Sequence, residues 1–534
     1  MWGREFIFLP LLFINTALFE DNNKMARSGF FYKPLKNITT GEPGSSQQTA
    51  FGAIQVESLT PSAQGDFIYT INEKVFTKIN YAGGGAYQED GYAVVTSSVS
   101  PSGSGGVQLR RGLKYSAGQG SLFRGTALFD TPVDGNIQLV GLGNGECGYF
   151  FGYLNQNFAI LHQDTSKREI RKFNITTGAG TGDVTVTLDG DSIVVPVTGG
   201  GDTTQTAYQL SLADYTDVGS GWQVDAIGSD LFFLSARAGP YSGSYSLAGA
   251  SIVATASQVS EGVAPSSDVY LQSAWNYDRM DGTGPSGMTL NPQRGNVFQI
   301  GFQYLGQGAA FFSIEDDKTG AIIPVHTIRN ANNRTTPVLR NPNVSGLVAS
   351  TNTTATTSVE VRCASIATFT EGEFVTLDPK FAHVRTFDST DTSGVFRGLV
   401  ALKVNRVFHN QACFGELDLL SISATNAAGS TTPKPFTLGI FRGVEITGDV
   451  NFIEVNGGSS TVSYADLGTA GGTGLAISQN EPLFTFGVNG GGANTIDLTS
   501  LEILSTAGEV LVIGFRAEAA VSDNTVSVNW FEQQ

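Results

Sequence analysis

Short runs of alternating apolar and polar residues recur along most of the chain, broken at close intervals by Gly, Asn, Asp, Ser and Pro. That period of two is the pattern of half-buried β-strands joined by turns. Residues 183–188 alternate strictly, Asp189-Gly190 reads as a tight turn, and residues 192–197 return, which predicts a β-hairpin. Comparable strand runs are predicted at 67–71, 92–95, 122–123, 126–129, 137–140, 149–153, 222–227, 231–235, 296–305, 309–314, 495–498, 509–515 and 525–530. One segment changes period: Asp202-Thr203 can cap a helix whose apolar positions are Ala207, Leu210 and Ala213.

These elements predict a mainly β fold of jelly-roll and β-sandwich domains, one of them interrupted by a small ββαββ insert, with a further C-terminal β-sandwich. Residues 1–50 read as an N-terminal hydrophobic segment and extended arm, and 51–106 as a small β region ending in a linker. The Ser- and Gly-rich stretch 97–106 supplies that linker. A split sandwich spans 107–174 and 256–375, because neither half has enough strands to close a core. The insert occupies 175–255, and 376–435 is a connecting β segment with a second linker at 426–433. The C-terminal sandwich is 436–534.

Composition sharpens the picture. Of the 534 residues, 40% are hydrophobic but only 15% are charged, and Gly contributes 66. That is enough apolar surface for several cores, with a largely neutral exterior. The formal net charge of −17 opposes the phosphates of nucleic acid, so no nucleic-acid partner is expected. The densest basic run, Lys167-Arg168-Glu169 with Arg171-Lys172, is interrupted by an acid and reads as a solvated edge. Cys147, Cys363 and Cys413 are odd in number and far apart, which describes small buried residues rather than a disulfide framework. Residues 6–19 are apolar but short for a membrane span. They suit a docking or over-extended N-terminus first, a signal peptide second and a membrane anchor third, and Met25 resembles an alternative start.

Candidate chemistry is sparse. Gly143-x-Gly145-x-x-Gly148 matches a dinucleotide fingerprint, but an aromatic strand follows where a helix N-terminus is needed. His162, His326, His383 and His409 are scattered, with no second ligand at helical or hairpin spacing. Carboxylates of a glycosidase carry no local signature, so Asp278, Asp281, Glu315, Asp316 and Asp317 remain candidates for Ca²⁺ or sugar binding. The run 278–284 resembles a loose calcium turn, yet lacks ligands at every second residue. Solvated turn carboxylates are the plainer reading. Trp222, Trp275 and the strand Tyr149–Tyr153 are the aromatic candidates for stacking on sugar rings, with core packing as the plainer alternative. The Asn-x-Ser/Thr sequons at Asn37, Asn174, Asn333, Asn343 and Asn352 are what an Asn- and Thr-rich chain produces by chance. No residue is therefore assigned a catalytic, cofactor-binding or metal-ligating role.

Three segments carry a resemblance. Residues 113–120 with 126–129 and 148–153, together with 275–287 and 302–308, resemble a jelly-roll domain of viral fibre-like or minor capsid proteins. The ββαββ insert is similar to small modules spliced into phage tail proteins, and the alternation closing on 526–532 to their terminal sandwiches. The resemblance is to virion structural proteins of tailed phages and large DNA viruses. It implies a non-enzymatic minor capsid, fibre or spike component at the virion surface, homo-oligomeric (a trimer by analogy with fibres). Its implied partners are other virion proteins and a host surface glycan. The alternatives are a secreted carbohydrate-binding adhesin and, behind it, a polysaccharide-degrading enzyme.

Overall fold

The computed structural model describes residues 59–533 apart from 114–118, 199, 373–377, 390–392, 427–433, 457, 470–471, 479–480 and 518. The expected N-terminal segment and arm, and the linker core at 427–433, lie outside the described residues.

The chain is mainly β, as its alternation predicts, and is organised around β-sandwiches. The first sandwich opposes a seven-stranded and a nine-stranded sheet. The seven-stranded sheet runs, in spatial order, Ser267–Leu271, Asn157–Gln163, Gly148–Leu154, Asn136–Gly143, Ser345–Asn352, Ser104–Leu109 and Phe76–Tyr81. The nine-stranded sheet centres on Ser121–Phe129, which pairs with Asn296–Phe302 on one side and with Glu360–Cys363 and Ser365–Glu371 on the other. Strands far apart in sequence thus lie side by side, and these ladders are antiparallel. Alternation fixes the faces. Tyr149, Phe151 and Tyr153 point inward onto Phe129, Phe298 and Phe312, while Phe150 of the same strand packs on the other side with Ala159, Leu161 and Leu347. Each such buried ring contributes roughly 1.5–3 kcal/mol by leaving water.

Two expectations are corrected here. Residues 67–71 form no strand: Asp66 accepts a hydrogen bond from the Ile68 amide, leaving Ile68 and Tyr69 exposed while Phe67 and Ile71 plug the core. The end of the expected 97–106 linker is strand Ser104–Leu109, held between Phe76–Tyr81 and Ser345–Asn352. Its glycines serve close approach, since a Cβ on Gly105 would stand 2.2 Å from the Gly85 carbonyl oxygen and 2.4 Å from that of Thr96. From Leu59 onward, the expected 51–106 region accordingly shares its sheets with the sandwich that follows.

The insert has its own core around Phe173, Leu210, Tyr215, Trp222 and Phe233. The hairpin Thr181–Leu188/Asp191–Thr198 turns on Asp189 (φ 54°) and Gly190 (φ 90°), the left-handed pair that an Asp-Gly turn supplies. Helix α1, Thr203–Ser211, is capped by Asp202, whose carboxylate accepts from the Gln205 amide at 2.8 Å. The insert is larger than expected. Arg168–Thr177 and Val253–Ser260 pair with each other inside its four-stranded sheet, so the expected boundaries at 174 and 256 shift outward. Its two ends meet: Lys167 and Val263 exchange backbone hydrogen bonds of 3.0 and 2.8 Å.

The second sandwich packs a five-stranded against an eight-stranded sheet around Leu402, Leu419, Phe436, Ile513 and Trp530. Lys380–Ser389, Arg397–Val404 and Glu416–Asn426, expected as a connecting segment, are integral strands of it. Polar residues at inward positions hid this. Arg385 is buried because its guanidinium donates to the Leu399 and Thr469 carbonyls.

Candidate functional site

The most heavily built polar region is the junction where both sandwiches and the insert meet. Arg110, Arg111 and Gly112 leave strand Ser104–Leu109 and reach the second sandwich. Arg110 pairs with Glu509, Arg111 with Asp418 (3.2 Å) and Glu502 (3.0 Å), and the Gly112 amide donates to Glu416. Gln533 donates to Asn343 at 3.1 Å. From the insert, Asp225 pairs with Lys403 and accepts from the Arg406 amide at 2.8 Å. Lys403 also donates to the Ala226 carbonyl at 2.6 Å and lies 4.3 Å from the centre of the Phe452 ring. Helix α1 adds Gln205, which bonds Gly448 and Val450, and Tyr208, which packs on Phe452.

Burial sets the electrostatics. It pushes the Lys403 ammonium below its ordinary range against the pull of Asp225, and does the same to Arg168 and Arg406. The Cys413 thiol beside them is raised to about 12 by burial, which keeps it protonated and unreactive. Cavities of 570 and 220 Å³ remain, one between the sandwiches under Arg110, Arg111 and Arg442, the other between Arg168 and Arg406. The ion pairs here join carboxylates to cations of another domain, an arrangement that fixes domains relative to one another.

The basic run at 167–172 is not a solvated edge. It lies on the insert's central strand, where Arg168 faces Glu146, Arg171 holds Glu169 and Lys172 holds Asp230. Cys147, Cys363 and Cys413 are free and buried.

The candidate carboxylates occupy separate turns of the first sandwich. Asp278 is buried and accepts from the Met280 (2.8 Å) and Ser286 (2.7 Å) amides; a Cβ on Gly284 would overlap it. Asp281 accepts from the Thr283 amide and hydroxyl at 2.9 and 2.6 Å, which holds its carboxyl below the usual range. Asp316 accepts from Thr319 in the next hairpin, where Glu315 is half-buried and Asp317 exposed. These oxygens are spent on N–H and O–H donors of their own turns and do not converge on a common point as a cation's ligands must. Trp222 and Trp275 are buried in their cores, with the Trp275 indole donating to the Tyr270 carbonyl at 3.1 Å, so neither is a surface platform. Gly143 and Gly148 face each other across a hairpin of two strands.

Sequence reasoning missed one cluster. His162 and Asp164, two apart at a strand end, meet Asp268 of the neighbouring strand. The signal was the His-x-Asp spacing; Asp268 and Arg334 lie too far along the chain to be read with it. The Arg334 guanidinium already fills the middle. It donates to His162 Nδ1 at 3.1 Å and Asp268 at 3.3 Å, and pairs with Asp164. His162 Nε2 faces the Val338 carbonyl at 2.7 Å, and burial holds this imidazole below its ordinary pKa. Arginine therefore supplies the charge a metal would bring.

A shallow hollow of 350 Å³ lies beside the 276–289 loop, lined by Gln156, Asn157, Gln272, Ser273, Arg279 and Asp281. Gln272 anchors that loop by donating to the Arg279 and Met280 carbonyls at 2.9 and 3.1 Å.

No family model matches the chain, and no curated protein is similar to it in sequence. Among solved structures, an endo-1,3-beta-glucanase from Streptomyces sioyaensis aligns over 59% of this chain and 97% of its own, with 8% identity and a TM-score of 0.29. The exoplasmic/lumenal domain of VIP36, in its Ca²⁺/Man3GlcNAc-bound form, aligns over 60% and 92%, with 10% identity and a TM-score of 0.23. The lectin UEA-II complexed with galactose aligns over 58% and 99%, with 9% identity and a TM-score of 0.19. Scores this low leave the function of this chain to be argued from its own residues.

Proposed function

We propose that this chain is a non-enzymatic structural protein of a virus particle, placed at or near the particle surface and acting through assembly and host contact. The observation that carries the reading is the junction. Ion pairs such as Asp225–Lys403 and Arg111–Asp418 join three domains into one body. Buried pairs of this kind add little net stability over apolar packing, but they tolerate few alternative arrangements, which suits a part that must hold a shape. The low charge and Gly-rich loops add neutral, adaptable contact surface.

A second reading, a carbohydrate-binding adhesin, is favoured by the hollow at Gln156, Asn157 and Arg279, whose amide and guanidinium groups match sugar hydroxyls. The test is immunogold labelling of purified particles with antibody against residues 436–534. Regular labelling of intact particles is expected. Absence of the chain from particles, intact or disrupted, overturns the structural reading and leaves the adhesin.

A further inference from the structure

Strand Lys380–Ser389 is an outer strand of the second sandwich, and among the described residues it pairs only with Val521–Gln533. It runs for ten residues. Such an edge presents a row of backbone donors and acceptors to any chain that can align with it. Natural edges of this length are usually guarded by proline, a mid-strand bulge or an inward charge. Here there is no proline, and the register shift comes only between Phe387 and Ser389 at the far end. The inward charge, Arg385, is consumed by the Leu399 and Thr469 carbonyls of its own domain.

The outward face is self-complementary. Lys380, Ala382, Val384, Thr386 and Asp388 are its exposed positions, and Val384 is 56% exposed. We propose that this edge binds the same strand of a second copy of the chain, antiparallel, about a two-fold axis through Val384. Lys380 then stands opposite Asp388, Ala382 opposite Thr386, and Val384 opposite itself. Symmetry forms each ion pair twice. Within the chain, neither Lys380 nor Asp388 has an ion-pair partner among the described residues; Asp388 accepts only from the Asp523 amide. Directly opposed charges and β-branched residues each favour an antiparallel pair by roughly 0.2–1 kcal/mol, and the backbone ladder adds to them. The two five-stranded sheets become one sheet running across the axis. The inference stands on the strand alone and does not depend on a place in a particle.

Sedimentation of the full chain tests it. The wild type is expected to dimerise with concentration. Lys380→Asp and Asp388→Lys each place like charges at both ends of the pair, so each alone weakens the dimer at least tenfold. An equimolar mixture of the two variants restores it, because each copy then offers what the other lacks. Val384→Cys crosslinks the dimer on mild oxidation, while the three native cysteines stay buried. A wild type that is monomeric at every concentration, as an arm of the same chain folded onto this edge would give, overturns the proposal. So does a dimer that neither charge variant weakens, or a mixture no tighter than either variant alone.

Discussion

His326 sits under the Tyr270 ring, its Nδ1 accepting from the Asn276 amide at 3.2 Å while its Nε2 is buried without a partner. Burial drives its pKa from 6.5 down to about 4. A folded pKa below the unfolded one means that the unfolded chain takes the proton first as pH falls. Stability is therefore complete near neutrality and is lost between about pH 6.5 and pH 4. The loss by pH 5 is on the order of 2 kcal/mol, and His162, shifted the same way, adds to it. Urea midpoints at pH 7 and pH 5 should show that difference, and His326→Gln should flatten it. Four scattered histidines gave no hint of this. Depth in a core is set by strands that meet only after folding, such as Ile322–Ile328 against Ala310–Glu315. What a single residue did announce was local: Asp202 as a helix cap and Asp189-Gly190 as a turn depend on neighbours a few positions away.

Among elements, strand Ser104–Leu109 is the instructive case. Its Ser-Gly composition carries the signature of a tether, yet the strand is ordered because three backbones converge where a side chain would not fit. Composition reports the flexibility of the free chain and is silent about close approach. Gly105→Ala drives a methyl group into the carbonyls of Gly85 and Thr96, and overpacking of this kind costs about 1–3 kcal/mol. A melting temperature several degrees lower, with secondary structure retained below it, is the expected result. Alternating strands with one polar face were readable throughout. Strand Lys380–Ser389 was legible as β but not as part of a core, because a buried Arg385 breaks the very pattern that marks a core strand.

At the scale of the molecule, the fold class was legible and the junction was not. Its partners, Arg110 with Glu509 and Gly112 with Glu416, are separated by 399 and 304 positions. No local window contains both ends. If these contacts couple the two sandwiches, the wild type should melt in one calorimetric transition. Arg110→Ala combined with Arg111→Ala removes the cations of these cross-domain pairs and should resolve two transitions, the second sandwich melting separately.

The meeting of the insert's ends bears on how such a chain changes over generations. Because Lys167 and Val263 are already bonded to each other, a gene segment encoding what lies between them can be exchanged without prising the host domain apart. Exchange is not free of conditions. Asp225 travels with the segment while Lys403 stays behind, so a newcomer must bring an acid to the same spot or strand a buried ammonium. Gln205 and Tyr208 set the same kind of condition, since their contacts with Gly448, Val450 and Phe452 also cross the cut.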